Sequence, residues 1–353
     1  MTRRNFIKWL IAAVWASILT ISGLIMSRRF RGAAGYDNRT MPSIAAPPGS
    51  VTDEKQPTED AGPLLSFFII SDLHINSGIA AQSNHLRKAL DDIKTFGDKA
   101  QAIVITGDIT DSGTPSDYRE FKNIMSRYEL PPVYANMGNH DYYNVWIGKD
   151  GAWNQDSFPN GKTDTMARQA FTSMFNLEKP YHDVWLNGFY FILLSQEAYI
   201  QERPEVGEGA WYSDEQMSWF RSKMAENNDG KPVFVMIHQE LPPIGQDGGN
   251  HMLIKAKEFR EILKPYRNVF VFSGHTHQDF TVNTEHYIQE TFHWFRNSSI
   301  GLVMNTKYEN VRKDAAQGLY IEVYPNKVVL RGREFSDRTW IKEADWSVPI
   351  SES

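Results

Sequence analysis

Five short apolar runs in this chain each stop at a cluster of Asp, His or Asn, and that repetition constrains the fold more than any other feature. Leu65–Ile70 ends at Ser71-Asp72-Leu73-His74, Ala102–Thr106 at Gly107-Asp108, and Val133–Asn136 leads into Gly138-Asn139-His140-Asp141. Val233–Ile237 runs into His238, and Val269–Phe272 into Gly274-His275-Thr276-His277. Such runs, β-branched and aromatic without alternation, read as strands buried on both faces. Segments at helical spacing separate them: Leu86, Ala89, Leu90, Ile93 and Phe96, then Tyr118–Tyr128, then Glu258–Leu263. Ser213-Asp214-Glu215-Gln216 reads as a capping box opening a helix through about Glu226. Phe189–Leu194 reads as a further strand, and Gly318–Val323 with Lys327–Arg333 as a hairpin around Pro325-Asn326. The alternation predicts an α/β layered domain, whose strand ends are where such sheets place ligands.

Taken singly, the clusters say little. Asp72-x-His74 and Gly107-Asp108 occur in ordinary turns, and His238 after a strand is by default a hydrogen-bonded core residue. Gly274-His275-x-His277 is more telling, because two imidazoles flank one residue after a glycine that permits close backbone approach. Together the clusters supply the oxygen and imidazole ligands that suit divalent transition metals. The chain has no cysteine, which excludes a thiolate zinc site, an iron–sulfur cluster, a disulfide scaffold and a cysteine nucleophile.

In order and content, the blocks from about Phe67 to Phe280 resemble the calcineurin-like metallophosphoesterase superfamily. The resemblance implies a sandwich of two mixed β-sheets flanked by helices. It implies two divalent metal ions, one on Asp72, His74, Asp108 and His277, the other on Asp108, Asn139, His238 and His275, with Asp108 bridging. Two cations about 3.5–4 Å apart would neutralise a phosphate ester, clamp the attacking and leaving oxygens in line and generate the attacking hydroxide near neutral pH. Manganese is expected ahead of iron or zinc, although affinity alone ranks copper and zinc above manganese. His140 would face the substrate, protonating the leaving oxygen or steadying the transition state, with Asp141 orienting its ring.

Departures from other branches narrow the reading. Ser112 stands where protein Ser/Thr phosphatases of the superfamily carry a phosphate-binding arginine, and Asp111 where purple acid phosphatases carry a tyrosine iron ligand. The stretch from Gly107 through Asp141 looks closest to phosphodiesterases acting on cyclic nucleotides and glycerophosphodiesters. Many of those have a second histidine where this chain has Gln239. Residues 142–188, with Tyr142, Tyr143, Trp146, Trp153, Phe158 and Phe171, are longer than a simple connection needs and are a candidate substrate cap or a self-packed insertion. His251, His286 and His293 could approach the cleft, with a structural role the default for each.

The N-terminus reads separately. Thr2-Arg3-Arg4-Asn5-Phe6-Ile7-Lys8 precedes an apolar run from Trp9 to Met26, long enough at about 1.5 Å per residue for a thin bilayer. The pattern resembles a twin-arginine export signal, with an ordinary membrane anchor as the plainer reading of residues 1–34. Residues 35–63 are Pro-, Gly- and Ser-rich and read as a flexible linker. The catalytic domain is expected over 64–340, with a tail over 341–353. Residues 1–63 hold eight Lys/Arg and five Asp/Glu, which leaves 29 basic and 38 acidic side chains, about -9, beyond them. That balance argues against a nucleic-acid partner. The chain therefore reads as an exported metallophosphoesterase of the cell envelope, membrane-anchored or secreted, and foremost a phosphodiesterase. Its partners would be a phosphoester substrate, the twin-arginine translocation machinery and a membrane through the N-terminal segment. The alternatives are a phosphomonoesterase or nuclease of the same fold, or a non-catalytic envelope binding protein.

Overall fold

The computed structural model describes residues 62–226, 230–282 and 285–351. In chain order its strands are β1 (Leu65–Ile70), β2 (Ile103–Thr106), β3 (Val133–Asn136), β4 (His182–Leu186), β5 (Phe189–Leu193), β6 (Val233–Met236), β7 (Val269–Ser273), β8 (Tyr287–Gln289), β9 (His293–Arg296), β10 (Gln317–Val323), β11 (Lys327–Glu334) and β12 (Thr339–Pro349). Its α-helices are α1 (Ala80–Ile93), α2 (Pro115–Met125), α3 (Asp164–Phe175), α4 (Asp214–Glu226) and α5 (Ala256–Leu263). The strands form two six-stranded sheets, ordered β12-β11-β10-β1-β2-β3 and β4-β5-β6-β7-β9-β8. Both are mixed, as expected. β1 runs parallel to β2 and antiparallel to β10, and the parallel set β5, β6, β7 and β9 carries antiparallel β4 and β8 at its two edges.

The absence of alternation along the central strands has a direct cause, because both faces of each strand are covered. Leu65, Phe67 and Ile69 of β1 point into the space between the sheets, where Phe67 meets Phe191 and Phe234 edge-on at 4.9 and 5.1 Å. Phe68 points the other way, onto Phe96 and Tyr320. Along β5, Phe189, Phe191 and Leu193 join the inter-sheet core, while Tyr190 and Ile192 lie in a second cluster with Phe220 of α4 and Phe259 of α5. Each such fully buried side chain contributes about 1.5–3 kcal/mol, an upper figure since the unfolded chain already shields some area.

The helix α4 begins where its capping residue predicts, with Gln216 N donating to Ser213 Oγ at 3.0 Å. The reciprocal arm of the expected box is not made. Gln216 Nε2 instead donates to Ser195 O and Glu197 Oε2, and Glu197 accepts from Ser213 N at 2.6 Å. The hairpin around Pro325-Asn326 is β10 and β11, paired antiparallel.

Of the tail expected over 341–353, the stretch as far as Pro349 is strand. The sandwich extends through β12, which pairs with β11 across a register shift at Arg331/Gly332 and buries Ile341, Ala344 and Val348. Within 142–188, Tyr142, Trp146 and Phe171 are buried and β4 joins a sheet edge, whereas Trp153 is 54% exposed. Among the described residues no helix is long and apolar enough to cross a membrane. The signal or anchor expected over 1–34, and the linker up to residue 61, lie outside the described residues.

Candidate metal centre

Three ligand-bearing loops leave one sheet, after β1, β2 and β3, and two leave the other, after β6 and β7. Each turns sharply. Asp72, His74, Asp108, His275 and His277 all have left-handed backbones, with φ of 52°, 46°, 49°, 73° and 54°. An L-residue in that region costs about 1–2 kcal/mol, and Asp and His tolerate it better than most. The turns are what swing these side chains off the strand axes into one space. Two glycines make room. Gly107 has φ of 86°, and a Cβ there would collide with the His238 ring; a Cβ at Gly274 would collide with Ser71 and the Asp72 carboxylate.

The expected ligands converge. Asp72, His74, Asp108 and His277 form one group whose candidate ligand atoms lie within 4.8 Å of one another, and Asp108, His238 and His275 form a second. Asp108 belongs to both, the position that the family resemblance gives to the bridge. Asn139 Oδ1 lies 3.1 Å from His275 Nδ1, which brings the amide to the second group. All seven are buried except the partly buried His275.

The donor atoms fit cations. His238 Nδ1 faces Thr106 O at 2.7 Å, so that nitrogen carries the proton and Nε2 turns a lone pair toward Asp108 Oδ2, 3.1 Å away. Neither His238 Nε2 nor Asp108 Oδ2, both fully buried, has a hydrogen-bond partner. Two facing lone pairs require something positive between them. Without a metal a proton serves: burial disfavours the charged ring, but the Asp108 carboxylate outweighs it and pushes His238 up to about 9. His74 Nε2 and His277 Nε2 face each other at 3.0 Å, again a pair of imidazoles aimed at one point. Burial pushes His74 and His275 down, so both are neutral and ready to ligate. Burial opposes ionisation of Asp72 and Asp108, yet the surrounding imidazoles hold both below the usual carboxylate range.

His140 lies at the mouth with a quarter of its side chain exposed. Its backbone N donates to Asp108 Oδ1 at 2.9 Å, and its ring stacks on Tyr143 at 4.0 Å between centroids. Ring Nδ1 sits 2.9 Å from the carbonyl of Asp111, to which it donates. Asp141 does not orient this ring. Neighbours on the 3₁₀ turn His140–Trp146 point about 120° apart, and the Asp141 side chain turns under the loops instead. There it accepts from Thr110 Oγ1, Thr110 N and Gly138 N at 2.8, 3.1 and 3.2 Å. Burial, then the charge of Asp108, raise Asp141 to about 6. It ties the Asp108 loop to the Asn139 loop rather than serving the histidine between them.

Two groups near the centre carried no functional reading in the sequence. Asp111 Oδ1 lies 3.6 Å from His74 Nδ1 and 3.7 Å from His140 Nδ1, beside two functional rings. Glu208 Oε2 accepts from Asn139 Nδ2 at 2.8 Å. The only hint of Glu208 was Gly207-Glu208-Gly209, a backbone that must come close to another segment. Of the three further histidines, His251 approaches, its ring 5.6 Å from His275. His286 and His293 are structural, meeting backbone carbonyls of Asp279 and Arg296 and the Tyr287 hydroxyl. Gln239 Nε2 donates to Gln196 Oε1 and Glu208 O, so it packs beneath the site.

A model of the calcineurin-like phosphoesterase family matches residues 65–279. The chain is 24% identical over 208 residues to a probable cyclic nucleotide phosphodiesterase of Rhodococcus erythropolis, covering 56% of this chain and 58% of that relative. It is 24% identical over 221 residues to a probable glycerophosphodiester phosphodiesterase of Arcobacter nitrofigilis, covering 59% and 70% respectively. Among solved structures, a dimetal phosphatase from Danio rerio superposes with a TM-score of 0.55 at 13% identity, covering 82% of this chain and all of that one. A purple acid phosphatase from yellow lupin seeds gives 0.55 at 14% identity, covering 81% of this chain and 53% of that one. At those identities the likeness is one of fold.

Proposed function

Since the chain belongs to the calcineurin-like phosphoesterase family, we propose that it hydrolyses phosphodiesters at a dinuclear centre held by Asp72, His74, Asp108, Asn139, His238, His275 and His277. The observation that carries this is Asp108, one buried carboxylate shared by both ligand groups. Two divalent cations bound there would offset the charge of the ester and supply a nucleophile from water at neutral pH. The protein's own contribution is to aim ligands from five loops at one space and, by burial, to hold His74 and His275 neutral, so that they add no charge against the ester.

A diester is favoured over a monoester by charge. The ion-pair partners of Asp72, Asp108 and Asp111 are all histidines. Ser112 stands where an arginine would grip a dianionic phosphate, and Glu208 adds a further acid behind Asn139. A diester brings one negative charge to this surface; a monoester brings about two near neutral pH, by the general second pKa near 6 of phosphate esters. The names of the relatives point the same way. His140, with Nδ1 committed to Asp111 O, presents Nε2 for a proton to the leaving oxygen. Manganese, iron or zinc all suit the ligand set. The N-terminal pattern supports export through the twin-arginine route, with action in the cell envelope.

The test is a panel of bis-p-nitrophenyl phosphate and p-nitrophenyl phosphate with Mn²⁺, run beside metal analysis. The expected result is two ions per chain and diester turnover that chelation abolishes. Fewer than one ion per chain with no ester hydrolysis would leave a binding protein in place of an enzyme. Monoester turnover above diester turnover would overturn the charge argument alone.

A further inference from the structure

Glu208 lies in the loop between β5 and α4, 69 residues from Asn139, yet the two meet side chain to side chain. Its Oε2 accepts from Asn139 Nδ2 at 2.8 Å and from the Tyr143 hydroxyl at 2.7 Å; its Oε1 accepts from the Tyr199 hydroxyl at 2.5 Å. Asn139 Nδ2 also lies 3.1 Å from the Tyr143 hydroxyl oxygen. An ionised carboxylate can only accept, so it selects which end of the Asn139 amide faces it. The nitrogen must point to Glu208, and Oδ1 must then point to His275, where the second ion needs an oxygen. An amide without this partner could turn its nitrogen inward and offer a cation no lone pair.

The loop has nowhere else to go. Glu208 N donates to Asn250 Oδ1 at 2.8 Å, Glu208 O accepts from Gln239 Nε2 at 3.0 Å, and Ala210 N donates to Met252 O at 3.1 Å. The segment following β6 thus holds the backbone that carries the carboxylate. Tyr143 in turn stacks on His140 and tilts against Tyr199. Burial, then the Glu208 charge, push Tyr143 and Tyr199 well above the ordinary phenol range, which keeps both hydroxyls as donors.

We infer that Glu208 is a positioning residue for the Asn139–His238–His275 half of the centre, fixing the Asn139 oxygen toward the second ion and, through Tyr143, the plane on which His140 rests. The inference depends on the metal centre proposed above, and its test separates the two. Mn²⁺ is titrated into the metal-free full-length chain and free Mn²⁺ followed by EPR, with thermal unfolding of the metal-free protein as the fold control. Wild type should bind in two steps. Glu208→Gln should keep the first step and weaken the second by about 10–100-fold, the usual cost of losing a partner of a metal ligand, with the metal-free unfolding temperature unchanged. Tyr143→Phe, which keeps the ring and removes one donor, should weaken the second step less than Glu208→Gln while leaving the first alone. Should Glu208→Gln fail to fold, Tyr143→Phe decides, and an unchanged second step overturns the inference. Two wild-type steps in Glu208→Gln, or equal weakening of both, also overturns it while the dinuclear reading stands. No Mn²⁺ bound by wild type removes the centre itself.

Discussion

His140 has most of its atoms already committed, and the commitments define what the remaining nitrogen does. Its backbone is bound to Asp108, its Nδ1 to the Asp111 carbonyl and its face to Tyr143, so Nε2 is the atom it can offer to a substrate. His140→Ala should lower kcat on a diester by about 10²–10⁴-fold, the ordinary contribution of a positioned acid or base. Mn²⁺ stoichiometry should stay at the wild-type value, because this ring lies outside the seven ligands. An unchanged kcat would assign the proton to another group. At this scale the seven residues that the family resemblance offered as ligands come together, whereas Asp141 turns away from His140. His140-Asp141 adjacency suggested a carboxylate steadying an imidazole, and only the turn reveals that the two side chains diverge. Glu208 was hard to read for another reason, since beyond its two flanking glycines a side chain that meets a residue 69 positions away leaves no pattern around it.

Elements differ in how plainly the sequence announces them. The central strands β1, β2, β5, β6 and β7 are wholly buried, so their runs are continuous and their ends unmistakable. β4, β8 and β12 are edge strands with partly exposed patterns, and the shift opposite Arg331/Gly332 breaks the alternation of β12. α4 owes its start to one hydroxyl, and Ser213→Ala should cost about 1 kcal/mol, read as a lower melting temperature. An unchanged melt would place the cap on Glu197. On β4, burial lowers His182 to about 4 against an ordinary 6.5. The folded protein resists a proton that the unfolded chain accepts, so stability from this group is present above about pH 6.5 and lost as pH falls toward 4. His182→Gln should flatten that part of the stability profile, measured by urea unfolding from pH 7 to 4; an identical slope in both proteins would assign the acid loss elsewhere.

For the whole molecule, the layered fold and a gathering of Asp and His side chains were legible because strand ends and ligand clusters coincide in the sequence, while the grouping of Asp72 with His277 rested on the family resemblance. The proposal that residues 1–34 direct export makes its own prediction. Arg3→Lys with Arg4→Lys should retain the protein inside the cell, followed by fractionation; normal export would assign the apolar run to another route. The centre, finally, draws three ligand loops from one sheet and two from the other, so the ions proposed for it would fasten the two halves of the sandwich at one rim. Any shear of one layer across its mate must first pull Asp108 away from His238, which makes occupancy of the site a gauge of how far the layers can slide.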